Sequence, residues 1–301
     1  MKYDLIIIGA GPAGLSAGIY SARYNLKTLV IGKVIGGLAV TAHRVCNFPS
    51  YTEIPGYELM RKIKKQVNEL GVMILNDNVD SIDKIEGGFF VKTDLGKKYF
   101  GKTILLALGT EREKLGVKNE GKYAGRGVSY CASCDAGFYK NKIVAVVGGG
   151  NAALTSALLL SDIAKRVYLI YRGDKFVKAE QTWVSLVDKN KKIEILFKEK
   201  VKELVGKENV SGVILDSGKR LIVDGVFVET GSVPDSGLAK KIGIKLDEKS
   251  YIKVDNHGRT NVEGVFAAGD VTNNNLKQIV TACAEGATAA YSVYQDLIMG
   301  K

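Results

Sequence analysis

Cys131-Ala132-Ser133-Cys134-Asp135 is the stretch of this chain whose residue types and spacing are best suited to chemistry. Two thiols separated by two residues can close a small disulfide and reopen it. The thiolate is the reactive form, and a CxxC placed near a helix start lowers a thiol pKa. Exchange runs through a mixed disulfide, so one sulfur must be exposed and the other must resolve it. Asp135 follows the second cysteine directly, where it could give a proton to a departing thiolate or take one from an attacking thiol. Half of a zinc site is the alternative. Zinc takes four ligands, usually from paired units. Besides this pair the sequence holds Cys46, Cys283, His43 and His257, and none of these are paired at ligand spacing. The ligand count favours redox chemistry over a metal.

Two glycine fingerprints frame the dithiol. Tyr3-Asp4-Leu5-Ile6-Ile7-Ile8 reads as a buried parallel strand. Gly9-Ala10-Gly11-Pro12-Ala13-Gly14 follows, then a small-residue helix over about 13–24. In this strand–turn–helix setting the glycines permit a tight turn, close approach of a pyrophosphate and close helix–sheet packing. The helix start offers oriented N–H groups to the anion. A second strand spans 27–31, but Gly32-Lys33 stands where an acid for a ribose is usual. The second unit begins near residue 142. It has a strand over 143–147, the turn Gly148-Gly149-Gly150-Asn151-Ala152-Ala153, a helix to about 161 and a strand over 167–171. The chain thus holds two nucleotide-type folds rather than a short-period repeat.

The remaining elements read as follows. Residues 36–38 and 47–49 are loop material, 56–70 an amphipathic helix, and 72–75, 89–93, 97–100 and 103–108 strands. The last of these strands ends at Gly109. Residues 111–114 look like an exposed charged connection. A strand over 225–229 leads to a boundary at 231–234. Gly264-Val265-Phe266-Ala267-Ala268-Gly269-Asp270 is a strand ending in Gly-Asp, at the end where ligands bind in open α/β sheets. A small-residue helix over 279–297 closes the chain. Trp183, Cys46 and Cys283 read as packing residues and His43 and His257 as surface residues.

With 301 residues, 46% hydrophobic and 25% charged, the composition is that of one large or two ordinary globular domains. No apolar run approaches bilayer-spanning length, and no signal peptide is visible before the first strand. Cysteine usage does not fit a secreted disulfide framework, so a cytoplasmic redox protein is expected. The formal charge is +11, with 43 Lys+Arg against 32 Asp+Glu. That suits an acidic partner. Nucleic acid is a remote reading: a basic binding protein on a vestigial fold would be expected to show a recognised nucleic-acid module, and none is visible.

The order of GxGxxG, CxxCD, GxGxxA and GVFAAGD followed by Gln278-Ile279-Val280-Thr281-Ala282 resembles the low-molecular-weight thioredoxin reductases, over essentially the whole chain. The resemblance implies an α/β fold of two Rossmann-like nucleotide-binding domains, the second inserted in the first. An FAD-binding domain would span 1–112 and 233–301, and an NAD(P)-binding-like domain carrying the CxxC would span 113–232. It implies FAD contacts from Gly9, Gly11, Pro12, Ala13 and Gly14 at the pyrophosphate, and from Gly36, Gly37, Leu38, Asn47, Val79 and Gly109. Gly269 and Asp270 match the ribityl position, and Gln278 and Ile279 the isoalloxazine. Leu38 stands where the family usually has Gln. Cys134 matches the cysteine facing the flavin, Cys131 the one attacking thioredoxin, and Asp135 the acid/base. A homodimer is also implied.

The second nucleotide site departs from the family. NADPH-dependent members carry His-Arg-Arg-x-x-x-Arg after the second strand, and those arginines neutralise the 2′-phosphate. Here the run is Tyr171-Arg172-Gly173-Asp174-Lys175-Phe176-Val177-Lys178, and Thr155-Ser156 replaces an acidic pair. One of the three arginines, Arg172, survives, and Lys178 could partly stand in for another by a one-residue shift; the loss of the rest and the +11 charge favour reduced ferredoxin as electron donor, as in the ferredoxin-dependent subgroup that this chain resembles. NADPH is the alternative donor, and NADH a third, with Asp174 on an unphosphorylated ribose.

Overall fold

The computed structural model describes residues 2–299, and the contacts divide them into two compact units. The first holds residues up to 40, 45–111 and 233 onward; the second holds 41–44 and 112–232.

The first unit is built on a seven-stranded sheet. Its order is Met73–Leu75, Thr28–Ile31, Lys2–Ile8, Lys98–Leu106, Gly88–Thr93 and Val79–Ile85. Val265–Ala267 pairs in parallel with the C-terminal half of Lys98–Leu106. Side chains alternate across a strand. Leu5 and Ile7 therefore join one core with Leu15, Val67 and Val293, while Ile6 and Ile8 join another with Leu29, Ile104 and Leu106. Burial on both faces explains why these strands read as unbroken apolar runs. The fingerprint helix Pro12–Arg23 packs on the C-terminal helix Ile279–Met299. A Cβ on Gly286 would stand 2.0 Å from the Ala13 carbonyl oxygen, so glycine lets the two backbones touch.

The second unit repeats the plan. Ile193–Phe197, Arg166–Tyr171, Ile143–Val147, Gly225–Val228 and Val128–Ser129 form a parallel sheet. One face packs on the helices Asn151–Ile163 and Gln181–Asp188, with Trp183 in that core. The other face packs on a three-stranded antiparallel sheet, Val201–Gly206, Val210–Leu215 and Arg220–Leu221.

The structure corrects several element boundaries. The two strands expected at 97–100 and 103–108 are one, Lys98–Leu106, and Gly101 within it is a packing glycine: a Cβ there would meet Ile6 at 2.8 Å. The exposed connection expected at 111–114 is only partly so. Arg112 lies in the strand Thr110–Arg112, which pairs with Ser232–Pro234, and its guanidinium binds Glu229. Among the described residues no helix is long and apolar enough to cross a membrane.

Candidate active site

In the first unit three strands end level. Ile8 lies beside Leu106, and Leu106 beside Ala267. The residues that follow, Gly9 to Gly14, Ala107 to Gly109 and Ala268 to Asp270, therefore border one crevice at the carboxyl ends of the strands, where the sheet order reverses. Gly9 has φ +112, and a Cβ there would stand 2.0 Å from the Ala107 carbonyl oxygen. Gly11 is different. A Cβ on it would meet only Gly37 Cα at 3.9 Å, and one on Gly109 would meet nothing within 4 Å. These two glycines face open space. Gly36 N–H donates to the Ala10 carbonyl (2.7 Å), which folds the second glycine pair against the first loop.

Asp270 stands half-buried at the end of this crevice, and no described residue hydrogen-bonds to its carboxyl oxygens. Burial pushes its pKa above the usual carboxylate range; Lys277 pulls it back and Glu285 adds to the rise. The Lys277 ammonium donates to the Thr272 carbonyl and lies 4.6 Å from the Tyr251 ring centroid. Glu285 accepts from Gly269 N–H at 2.8 Å. Asn47 donates its side-chain amide to Gln278 Oε1 at 2.9 Å, joining residues far apart in sequence.

In the second unit Cys131 and Cys134 form a disulfide, with Cα atoms 5.3 Å apart. Cys131 caps the helical turn Ala132–Asp135. Ser129 Oγ donates to Asp135 Oδ2 (2.7 Å) and accepts from Cys131 N–H (3.1 Å), so one hydroxyl ties the acid to the first cysteine of the disulfide. Cys134 is exposed and Cys131 half-buried. Phe138 follows, 74% exposed. Among the described residues no three His, Cys, Asp or Glu side chains gather as metal ligands.

The second glycine loop has its own geometry. Val147 lies beside Ile170 on one side and Val228 on the other, so Gly148, Tyr171 and Glu229 follow level strand ends. A Cβ on Gly149 would stand 2.3 Å from the Tyr171 ring, and one on Gly173 2.6 Å from it. The ring therefore lies between two glycines, stacked on Phe176 at 5.5 Å. Asn151, at the start of the following helix, exchanges two hydrogen bonds with Glu180: its amide donates to Glu180 Oε1 (2.8 Å) and its Oδ1 accepts from Glu180 N–H (2.7 Å). Gly150 is bridged to Lys178.

The pyridine nucleotide-disulphide oxidoreductase family matches residues 3–286. The thioredoxin reductase of Treponema pallidum is 40% identical over 297 residues, which cover 96% of this chain and 95% of that one. The chain belongs to the low-molecular-weight thioredoxin reductases. In structure it is similar to the thioredoxin reductase of Lactococcus lactis, with a TM-score of 0.95, 33% identity and 99% of each chain covered. It is also similar to a ferredoxin-flavin thioredoxin reductase from Clostridium acetobutylicum, with a TM-score of 0.55 and 33% identity over 99% of each chain.

The family is one of FAD-dependent oxidoreductases with a redox-active disulfide, here Cys131–Cys134. FAD, when bound, would supply the redox carrier between an electron donor and that disulfide. The first crevice fits it. Gly11 and Gly109 leave backbone open to a pyrophosphate, and Asp270 holds an acceptor that no donor among the described residues uses. Of the residues expected at FAD, Pro12, Ala13 and Gly14 open the fingerprint helix, and Gly36, Gly37, Gly109, Gly269 and Asp270 border the same crevice. Gln278 meets Asn47, and Ile279 begins the last helix. Leu38 lies in a 3-10 turn, 43% exposed. Val79 stands apart from the loop group, buried in the core with Ile82 and Phe89.

Sequence reasoning missed Ser129, Glu285 and Tyr171. A serine two residues before a cysteine and a glutamate within a small-residue helix carry no local signal, whereas Tyr171 was visible as the residue ending the second strand. Cys283 packs, with burial pushing its thiol up to about 11, whereas Cys46 is exposed rather than packed.

Proposed function

We propose that reduced ferredoxin supplies the electrons for this thioredoxin reductase. The observation that carries this reading lies at residues 173 and 177, where the NADPH-dependent members carry arginines. Gly173 and Val177 stand there, and Val177 leaves 66% of its surface exposed without any charge for a 2′-phosphate. Charge-assisted contacts of that kind account for much of NADPH selectivity. The +11 net charge suits docking of an acidic carrier. The Clostridium acetobutylicum neighbour, named for ferredoxin and flavin, is a precedent within the fold. NADPH remains the second reading, favoured by the intact glycines 148–150.

Two carriers give one electron each, and with two protons the Cys131–Cys134 bond becomes a dithiol. The Cys131 thiolate attacks the thioredoxin disulfide, forming a mixed disulfide and releasing one partner thiolate. Cys134 then attacks Cys131 Sγ, which re-forms the enzyme disulfide and frees reduced thioredoxin. Asp135, oriented by Ser129, moves the proton. Gly9, Gly11, Pro12, Ala13, Gly14, Gly36, Gly37, Gly109, Gly269 and Asp270 would hold FAD, and the Asn47–Gln278 pair would serve its ring. A cytoplasmic setting fits an exposed free thiol at Cys46. The exposed tyrosines of the two packed helices, Tyr20 and Tyr291, suit a homodimer face.

The test is anaerobic. Oxidised enzyme is mixed with NADPH, NADH or reduced ferredoxin while the flavin band is followed. Ferredoxin is expected to bleach it, more slowly as salt screens the docking charges. Rapid bleaching by micromolar NADPH overturns the donor. Separately, Cys134→Ser is expected to trap thioredoxin on Cys131 as a stable mixed disulfide seen on a non-reducing gel. A trap formed by Cys131→Ser instead would exchange the two roles.

A further inference from the structure

Tyr171 ends the second strand of a βαβ unit, the position from which such folds contact the adenosine ribose of a dinucleotide. Its ring does not project away from that place. It lies against Gly149 inside the turn and against Gly173 on the outgoing segment, close enough that a Cβ at either would collide with it. Phe176 stacks on the ring and is itself packed on Phe197, which holds the ring in place. The glycines at 149 and 173 thus make room for a side chain of the protein rather than for a ligand. The Glu180 carboxylate is hydrogen-bonded to Asn151 at the start of the helix, where a pyrophosphate would otherwise be favoured.

We infer that Tyr171 is the specificity-determining residue of this loop: its ring fills the adenosine position and excludes adenine dinucleotides from the second nucleotide fold. The inference deepens the donor reading above and rests on it in one respect, that the natural enzyme makes no use of a nicotinamide nucleotide. Because Gly173 and Val177 replace two of the three 2′-phosphate arginines, the site uncovered by removing the ring would favour a dinucleotide without that phosphate.

The experiment uses the FAD-loaded enzyme and ADP-ribose as probe, followed by isothermal titration calorimetry. Wild type and Tyr171→Phe, which keeps the ring, are expected to give no binding up to millimolar probe. Tyr171→Ser is expected to bind about tenfold or more tightly than that limit. Tyr171→His, with a smaller ring, serves the same purpose if the serine variant loses FAD or fails to fold. Asn151→Ala, which frees the Glu180 segment but keeps the ring, is expected to remain closed. Equal binding by wild type and Tyr171→Ser overturns the inference, as does opening by Asn151→Ala alone, or no binding by either ring-reduced variant. Reduction by ferredoxin is measured on every variant. Its persistence with no nucleotide bound to Tyr171→Ser would refute the plug and leave the donor reading intact, whereas its absence in wild type would refute the donor reading whatever the calorimetry shows.

Discussion

The two glycine loops share a fingerprint and a register but end in opposite states. In the first unit Ile8 lies beside Ile31 and Leu106, so the residues that follow the neighbouring strands are Gly32 and Ala107. In the second, Val147 lies beside Ile170 and Val228, and the corresponding residues are Tyr171 and Glu229. The backbones agree closely: a Cβ on Gly9 would strike the Ala107 carbonyl oxygen at 2.0 Å, and one on Gly148 the Glu229 carbonyl oxygen at 2.1 Å. A glycine and an alanine leave the first crevice open. A tyrosine and a glutamate close the second, the glutamate held by Arg112 and by Ser156 Oγ at 2.9 Å. Glycines in a βαβ turn therefore report how helix and strand pack, and the residues ending the adjacent strands decide whether anything can bind.

The largest expected effect breaks or upholds this contrast directly. Gly11 and Gly150 are equivalent positions, each with negative φ and each without a neighbour closer than 3.9 Å to a built Cβ. Valine should be tolerated by the backbone at both. Gly11→Val is expected to fold yet purify without FAD, because its side chain fills the cradle. Gly150→Val is expected to keep FAD and full ferredoxin-dependent turnover. Absorbance of the flavin per folded chain checks both, and flavin loss from Gly150→Val would make the second loop part of the cofactor's support.

Much of this was legible in the sequence. The strand–turn–helix order located both loops, the dithiol and the Gly-Asp strand end, because short-range pattern encodes them. What could not be read were contacts between distant segments. Asn47 meeting Gln278 and Ser16 Oγ donating to the Cys283 carbonyl (2.7 Å) depend on the C-terminal helix returning to the fingerprint helix. The short polar strands were also missed. Val79–Ile85 alternates with charges and shows no unbroken apolar run. The missing acid at Gly32 was visible, but its consequence appears only when Gly32 is set beside Tyr171.

A middle-sized effect concerns the closing groups. Glu229 is buried, and burial pushes its pKa up against the pull of Arg112 and Ser156. Glu229→Ala leaves the partly buried Arg112 without its partner, at a cost of about 2–3 kcal/mol after allowing for Arg112's exposure. Chemical denaturation should register this as a lower midpoint, with FAD content unchanged. A variant as stable as wild type would mean that the pair contributes nothing to closing the second loop.

The smallest effect separates the two strand-end carboxylates by pH. Glu229 has its hydrogen-bond partners inside the protein, whereas the Asp270 carboxylate has none among the described residues and is raised by burial against the pull of Lys277. In the flavin-free protein a raised acid holds its proton longer when folded than when unfolded. Its contribution to stability is therefore present at low pH and lost as pH rises from about 4 through the folded pKa. A ribityl hydroxyl donating to Asp270 favours the ionised form and so pulls that pKa down. Binding of FAD must then strengthen as pH rises through the same window, by up to about tenfold for each unit by which FAD lowers the pKa. Fluorescence titration of the flavin-free protein between about pH 4.5 and 7.5 should show this rise, and Asp270→Asn should flatten it and weaken binding at neutral pH. Glu229→Gln should leave the profile unchanged. A pH-independent affinity in wild type would remove Asp270 from the flavin's contacts and leave the openness of the first crevice resting on Gly11 and Gly109 alone.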